Sequence, residues 1–211
     1  RGKSYEEAVA GRWAMDADIP DRLKKLNVYA VQEDIGQLVR EVDIVFSALD
    51  LDKATIRHIE EAYAEQGVAV ISNNSAHRWT DDVPMIIPEV NPEHAELIAI
   101  QRKNRGWQRG LIAVKPNCSI QSYVPILKAL DRFRPKRAVV TTCQAISGAG
   151  KTFETWPEMI DNVIPFIKGE EEKSEKEPLR VMGTLRDGKI QPSQMVISAT
   201  CIRVPVTDGH M

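Results

Sequence analysis

Cysteine is scarce in this chain of 211 residues: Cys118, Cys143 and Cys201 are widely spaced and odd in number. Such a set does not build a disulfide framework and fits a reducing compartment, with the cytoplasm as the expected location. The Asn-x-Ser tripeptides at Asn73 and Asn117 are then chance matches. Basic blocks are also missing. The 28 Lys and Arg against 30 Asp and Glu leave a formal charge of −2, which argues against a nucleic-acid partner. No run approaches the roughly 18 apolar residues of a helical membrane span, so no membrane role is expected. His58, His77 and His94 lie in polar helical or loop contexts without ligand spacing, and no metal site is expected. No Gly-x-Gly-x-x-Gly occurs, so a dinucleotide fold is present only if its first strand lies ahead of residue 1. The chain opens on Arg1 with no signal-like apolar stretch, and Asp208 to Met211 follow a strand-like run with no closing element. It therefore reads as an internal portion of a longer chain.

What is present is enough apolar character, 43% of residues, to bury a sizeable core in one large or two small domains. The first 25 or so residues read as loop with a short helix. Val42 to Leu49 is an apolar run of buried-strand type. Asp50 and Asp52 offer caps for a helix over roughly 52–66 with Ile56, Ile59, Ala62 and Tyr63 on one face. Gly67 stops it, and Val68 to Ser72 is the next strand, giving a βαβ unit with parallel pairing. A helix is expected from Pro92 to about Asn104, a strand at Leu111 to Val114, a helix from Ile120 to Leu130, and longer strands at Arg137 to Ala145 and Met195 to Val204. Lys168 to Glu177 carries eight charges in ten residues and reads as a solvated loop or helix start. The pattern implies an α/β fold: a doubly wound, Rossmann-like parallel sheet over 1–115, followed by an α+β unit with an antiparallel or mixed sheet over 116–211.

Cys118 stands where a strand gives way to a helix. In a helix's first turn, the dipole and free N–H groups favour a thiolate and can hold an oxyanion. The competing reading is a small buried residue, which is how Cys143 and Cys201, inside apolar strands, are best read. Ile146 to Thr152 resembles the end of a phosphate loop, but Ala145 stands where its first Gly belongs and no good helix follows. A Gly-rich turn against a flat ligand ring is the better reading. A strand-borne Arg203 suits carboxylate binding and a loop-borne His210 suits proton transfer, though each residue type is more often structural.

Taken together, several blocks carry a resemblance. Ser72-Asn-Asn-Ser-Ala-His-Arg78, Ile87-Pro-Glu-Val-Asn-Pro92, Pro116-Asn-Cys-Ser119, Gln144-Ala-Ile-Ser-Gly-Ala-Gly150, Gly169-Glu-Glu-Glu-Lys173 and Ser198 to His210 occur in the order found in aspartate-semialdehyde dehydrogenases. The chain is similar to that family's archaeal and fungal branch from about residue 40 onward. The resemblance implies an NADP-dependent enzyme that interconverts aspartyl phosphate and aspartate semialdehyde, with inorganic phosphate as co-substrate, supplying lysine, threonine and methionine. It implies a catalytic set of Cys118 as nucleophile, His210 as acid/base and Gln144 beside the thiol. Arg203 would clamp the substrate carboxylate and Glu170 would face its amine, with Glu171 or Glu172 as alternatives. Arg78, Asn117 and Lys173 match a phosphate-binding set. Ser47, Ala48, Leu49, Ser147 and Gly148 match the cofactor side. A homodimer or homotetramer is implied. Lys151 to Pro157 departs from the family's usual Gly/Pro-rich stretch.

A related reductase acting on malonyl-CoA or N-acetylglutamyl phosphate is one alternative. A non-catalytic dinucleotide-binding relative is another. The retained Cys118, Gln144, Arg203 and His210 argue for catalysis. Alkylating reagents should then modify Cys118 ahead of Cys143 and Cys201, read by peptide mass spectrometry. Equal labelling of all three would favour the non-catalytic reading.

Overall fold

The structure, a computed structural model, describes residues 1–13 and 15–209. At its start β1 (Lys3–Ser4) pairs antiparallel with β2 (Asn27–Val28), with the short helices α1 (Tyr5–Val9) and α2 (Asp21–Lys24) between them. The opening segment thus holds more structure than its mixed polarity predicts. Ser4 accepts from the Glu7 amide while Glu7 accepts from the Ser4 amide, a reciprocal cap that starts α1.

Helix α3 (Ile35–Glu41) leads into β3 (Ile44–Ser47), α4 (Lys53–Glu65) and β4 (Ala69–Ser72). A single 3-10 turn over Pro92–Glu96 then runs into α5 (Leu97–Arg105), which left-handed Gly106 ends, and β5 (Leu111–Val114) follows. The three strands form a parallel sheet in the order β3-β4-β5, in register from Ile44–Ala69–Leu111 to Ser47–Ser72–Val114. Their carboxyl ends therefore lie side by side, the edge at which open α/β sheets place ligands.

Helix α4 starts as its sequence dictates: the Asp52 carboxylate accepts from the amides of Ala54 and Thr55. Ile56, Ile59 and Tyr63 are buried, and Ala62 is half-buried. Glu60, on the same face, is buried as well, because it accepts from the Ser72 hydroxyl at 2.6 Å and from Asn74 Nδ2 at 3.1 Å. His77 and His94, read as lying in polar contexts, are each only 1% exposed. His94 spans from Asn91 Nδ2 to the Gly183 carbonyl. Burial pushes both imidazoles below their ordinary pKa, toward the neutral form.

Beyond β5 come α6 (Ile120–Ala129), β6 (Arg137–Gln144), α7 (Glu170–Val181), an antiparallel hairpin of β7 (Thr184–Arg186) and β8 (Lys189–Gln191), and β9 (Val196–Arg203). Strands β6 and β9 pair in parallel from Arg137–Val196 to Gln144–Arg203, and an antiparallel bridge of Ile164 to Arg203 makes this side mixed. Helix α7 packs on β9 and α6. The charged run that becomes α7 is not a fully solvated face. Ser174, Glu177, Pro178 and Arg180 are buried, with Arg180 donating to the carbonyls of Thr80 and Val83. The apolar core crosses residue 115: Ile59, Val70, Met85 and Ile112 pack in one cluster with Ile120, Val124 and Val181.

Gly110 shows how closely β5 is fitted against α4, because a Cβ there would lie 1.7 Å from the Ala64 carbonyl oxygen. Gly110→Ala should destabilise the chain by at least about 2 kcal/mol in denaturant unfolding. Gly36→Ala, in α3 with nothing within 4 Å, should be neutral or slightly stabilising.

Candidate active site

The aligned strand ends deliver the candidate residues. Immediately beyond β5 the chain turns through Pro116, Asn117, Cys118 and Ser119 into α6, which begins at Ile120 with Ser119 as its cap residue. Cys118 therefore stands one residue ahead of the cap rather than inside the first turn. It is exposed, while Asn117 and Ser119 on either side are buried. Cys201 is buried, accepting or donating a contact with the Ser174 hydroxyl, and Cys143 is half-buried. Of the three, Cys118 has the accessibility that a nucleophile needs.

Asn117 is gripped at three atoms. Its amide N–H donates to Glu177 Oε2 at 2.6 Å, its Nδ2 donates to Glu170 Oε2 at 3.0 Å, and its Oδ1 accepts from the Ser119 amide at 2.9 Å. On the other side of the thiol, Gln144 Nε2 donates to Ser119 Oγ at 2.8 Å and to Thr142 Oγ1 at 3.1 Å. Gln144 ends β6, and the parallel register sets it directly beside Arg203, which ends β9. Arg203 is 5% exposed and donates through Nη1 to the Ala145 carbonyl, while its Nε has no partner among the described residues. Burial pushes the Arg203 guanidinium below its ordinary pKa, and the nearby Glu170 and Cys118 oppose that shift. A buried guanidinium with an unspent donor suits a carboxylate ligand.

The first turn of α7 separates its three glutamates. Glu170 faces Asn117 and pairs with Lys173 at 2.6 Å. Glu171 turns to the Cys201 amide, and Glu172 pairs with Lys176 at the surface. The Asn117 side is reached by Glu170 alone of these three. Burial pushes the Glu170 carboxyl up, but Lys173, Asn117 and Arg203 outweigh it and hold the group below the usual carboxylate range.

Arg78, expected in the phosphate-binding set, makes three bonds within the protein. Its Nη1 donates to Glu177 at 3.0 Å, its Nε to the Lys115 carbonyl at 3.1 Å and its Nη2 to the Asn73 carbonyl at 3.3 Å. It still borders a cavity of about 270 Å³ with Lys53, Trp79, Lys173 and Lys176. On the sheet side, Ser47 accepts from Asn74 Nδ2, and Ser47 and Leu49 line a mostly apolar cavity of about 210 Å³ with Val45, Phe46 and Val70; Ala48 is exposed. Ser147 and Gly148 lie exposed in a 3-10 turn over Ile146–Ala149. The segment that leads to His210 runs beside this turn: Ala145 donates to the Gly209 carbonyl and Ser147 to that of Thr207. His210 itself lies outside the described residues. Among the described residues no group of three His, Cys, Asp or Glu is placed to hold a metal.

Sequence reasoning missed Glu177, Ser119 and Thr142 here, and the Glu60–Ser72–Asn74 cluster beneath the β3 and β4 ends. An i, i+7 spacing of Glu170 and Glu177 on one helix face was the available signal.

An exposed thiol thus follows the carboxyl edge of a parallel sheet in an α/β fold, with Gln144 tied to the neighbouring Ser119 and a buried Arg203 beside Gln144. The model "Semialdehyde dehydrogenase, NAD binding domain" matches residues 1–98, and "Semialdehyde dehydrogenase, dimerisation domain" matches residues 125–211. The chain is 46% identical to the aspartate-semialdehyde dehydrogenase of Archaeoglobus fulgidus over 99% of its own length and 58% of that protein's. With the Saccharomyces cerevisiae enzyme of the same name the identity is 38% over 99% of the chain and 59% of the relative. The crystal structure of aspartate semialdehyde dehydrogenase with NADP from Candida albicans superposes with a TM-score of 0.83 at 34% identity, covering 99% of this chain and 59% of that one. The chain belongs to the semialdehyde dehydrogenase family, in its aspartate-semialdehyde dehydrogenase group, and spans less than two thirds of the length of these relatives.

The Glu170–Lys173 pair gives a pH test. A carboxyl held below its unfolded pKa of roughly 4.3 contributes stability fully present above that value and lost as pH falls through the folded one. Lys173→Met should raise the Glu170 midpoint in carboxyl 13C NMR and weaken the acid dependence of unfolding; an unmoved midpoint would deny the pairing.

Proposed function

We propose that the protein is an NADP-dependent aspartate-semialdehyde dehydrogenase, converting aspartyl phosphate reversibly to aspartate semialdehyde through a thioester on Cys118. The observation that carries this reading is the exposed Cys118 held between Asn117, tied to Glu170, and Ser119, tied to Gln144, with Arg203 alongside. Two cations in different places suit a substrate with a carboxylate at one end and a phosphate at the other. Arg203 takes the carboxylate, and Glu170 takes the amine. Lys173 and Arg78 meet the phosphate at the cavity they line, and Asn117, bonded to the Glu170 that pairs with Lys173, completes the set; Arg78 works from its buried position through N–H groups not spent on Glu177, Lys115 and Asn73.

The fit for NADP rests on the apolar cavity at the end of β3, lined by Ser47 and Leu49 with Ala48 exposed between them in the chain, and on the exposed Gly turn of Ser147 and Gly148. When bound, NADPH supplies the hydride that reduces the acyl group. The chain's own steps lie on either side. The Cys118 thiolate attacks the acyl carbon and phosphate leaves, giving the thioester; Gln144 orients the acyl group. After reduction, His210 gives a proton to the oxyanion to form the hemithioacetal and takes it back as the C–S bond breaks and the thiolate returns. Splitting the reaction this way asks each step for one positioned partner.

Residues 1–115 then form the cofactor unit and 116–211 the catalytic and dimerisation unit, a division supported by the two family matches. Self-association as a homodimer or homotetramer is supported by apolar Val139 and Val196, exposed on β6 and β9. The cytoplasm is the proposed location, supported by the three dispersed cysteines; no helix among the described residues is long and apolar enough to cross a membrane.

In the longest chain that carries this sequence, NADPH should form from aspartate semialdehyde only when inorganic phosphate is present, and Cys118→Ala should lower kcat by at least about a thousandfold. A folded protein with no phosphate-dependent signal would discard the aspartyl substrate and make malonyl-CoA the next candidate.

A further inference from the structure

Glu177 belongs to none of the motifs assigned above, yet its carboxylate is among the most deeply buried charges in the chain, at 1% exposure. Oε1 accepts from Arg78 Nη1 and Oε2 accepts from the Asn117 amide at 2.6 Å. Charge-assisted bonds of this length are strong. A buried carboxylate is nonetheless a poor choice for stability alone, since an apolar side chain covers the same helix face without desolvating a charge. What the carboxylate adds is an acceptor for a backbone N–H in the turn that carries Cys118.

Glu170 and Glu177 lie seven residues apart, two turns along the same face of α7. Both reach the same residue: Glu170 takes the side-chain amide of Asn117 and Glu177 takes its backbone amide. Arg78 completes the arrangement by neutralising Glu177 and donating to the carbonyl of Lys115, two residues before Asn117. The turn is thus fastened from α7 at its backbone as well as at its side chain.

We propose that Glu177 is a positioning residue for the nucleophile. Neutralised by Arg78, it fixes the Asn117 peptide and so sets where the Cys118 thiol meets its acyl substrate. The inference rests on the reading of Cys118 as nucleophile, and its test separates the two.

Two variants of the same full chain are compared with the parent: Glu177→Gln, which keeps size and an acceptor oxygen, and the double variant Arg78→Met/Glu177→Met, which removes the pair without stranding a charge. Fold is followed by thermal unfolding, Cys118 alkylation by iodoacetamide with site-resolved mass spectrometry, and turnover by kcat and KM for aspartate semialdehyde. Positioning predicts that Glu177→Gln folds and loses about tenfold in kcat with KM within about twofold. It also predicts that the double variant keeps a melting temperature near the parent's while Cys118 alkylation slows about tenfold and Cys143 labelling does not change. A lowered melting temperature with alkylation and kcat at parental values overturns the proposal and leaves Glu177 a structural residue. If the parent does not turn over the semialdehyde but the alkylation difference appears, the positioning role stands and the assigned substrate falls.

Discussion

A carboxylate with almost no access to water must find charge and hydrogen bonds inside the protein, and Glu177 finds both in segments far away along the chain. Arg78, 99 residues earlier, and the Asn117 amide, 60 residues earlier, close on its two oxygens. Leaving either oxygen unmet would cost several kcal/mol in a buried site. The loop after β4, the turn after β5 and helix α7 therefore have one mutual arrangement that satisfies every group. Arg78 extends the constraint through the Asn73 and Lys115 carbonyls, which follow directly on the ends of β4 and β5.

The parallel pairing of the strands does the remaining placement. Because β3, β4 and β5 end in register, the polar residues that follow them gather at one edge. Because β6 and β9 also end in register, Gln144 and Arg203 arrive as neighbours although 58 residues of chain, including α7, lie between their strand ends. The Gln144 bond to Ser119 then joins the second sheet to the thiol turn. Exposure of Cys118 follows from this framework: its two neighbours are drawn inward by buried partners, and Cys118 between them stays exposed.

Much of the framework was legible in advance. Strand β5 occupies the span that its apolar run marks, Asp52 caps α4, and the Cys-bearing turn falls between β5 and α6. These features depend on local rules of periodicity and capping, so neighbouring residues suffice to read them. Helix α3 carries only seven residues with Gly36 in its first turn, too little for a periodic signal. The β7–β8 hairpin is three residues a side, and left-handed Asp187 and Gly188 form its turn. The run from Lys168 to Glu177 looked solvated because charge is ordinarily a surface property. It is a helix with one charged face turned inward, since Asn117 and Arg78 wait there to meet it.

The sequence by itself determined the β3–α4–β4 unit, β5, α6, β6 and β9 in their order, the Asp52 cap, Cys118 as the nucleophile candidate and the family, because each is written in residues close together or in ordered blocks. Tertiary structure decided which charges matter. Glu170, Glu171 and Glu172 are equivalent as letters, and only the rotation of α7 sends the first to Asn117, the second to the Cys201 amide and the third to Lys176. Arg78 likewise reads only as an anion binder in the sequence, and the fold adds three bonds to Glu177, Lys115 and Asn73. A hydrogen bond is set by separation in space over about 3 Å, and separation along the chain carries almost no information about it.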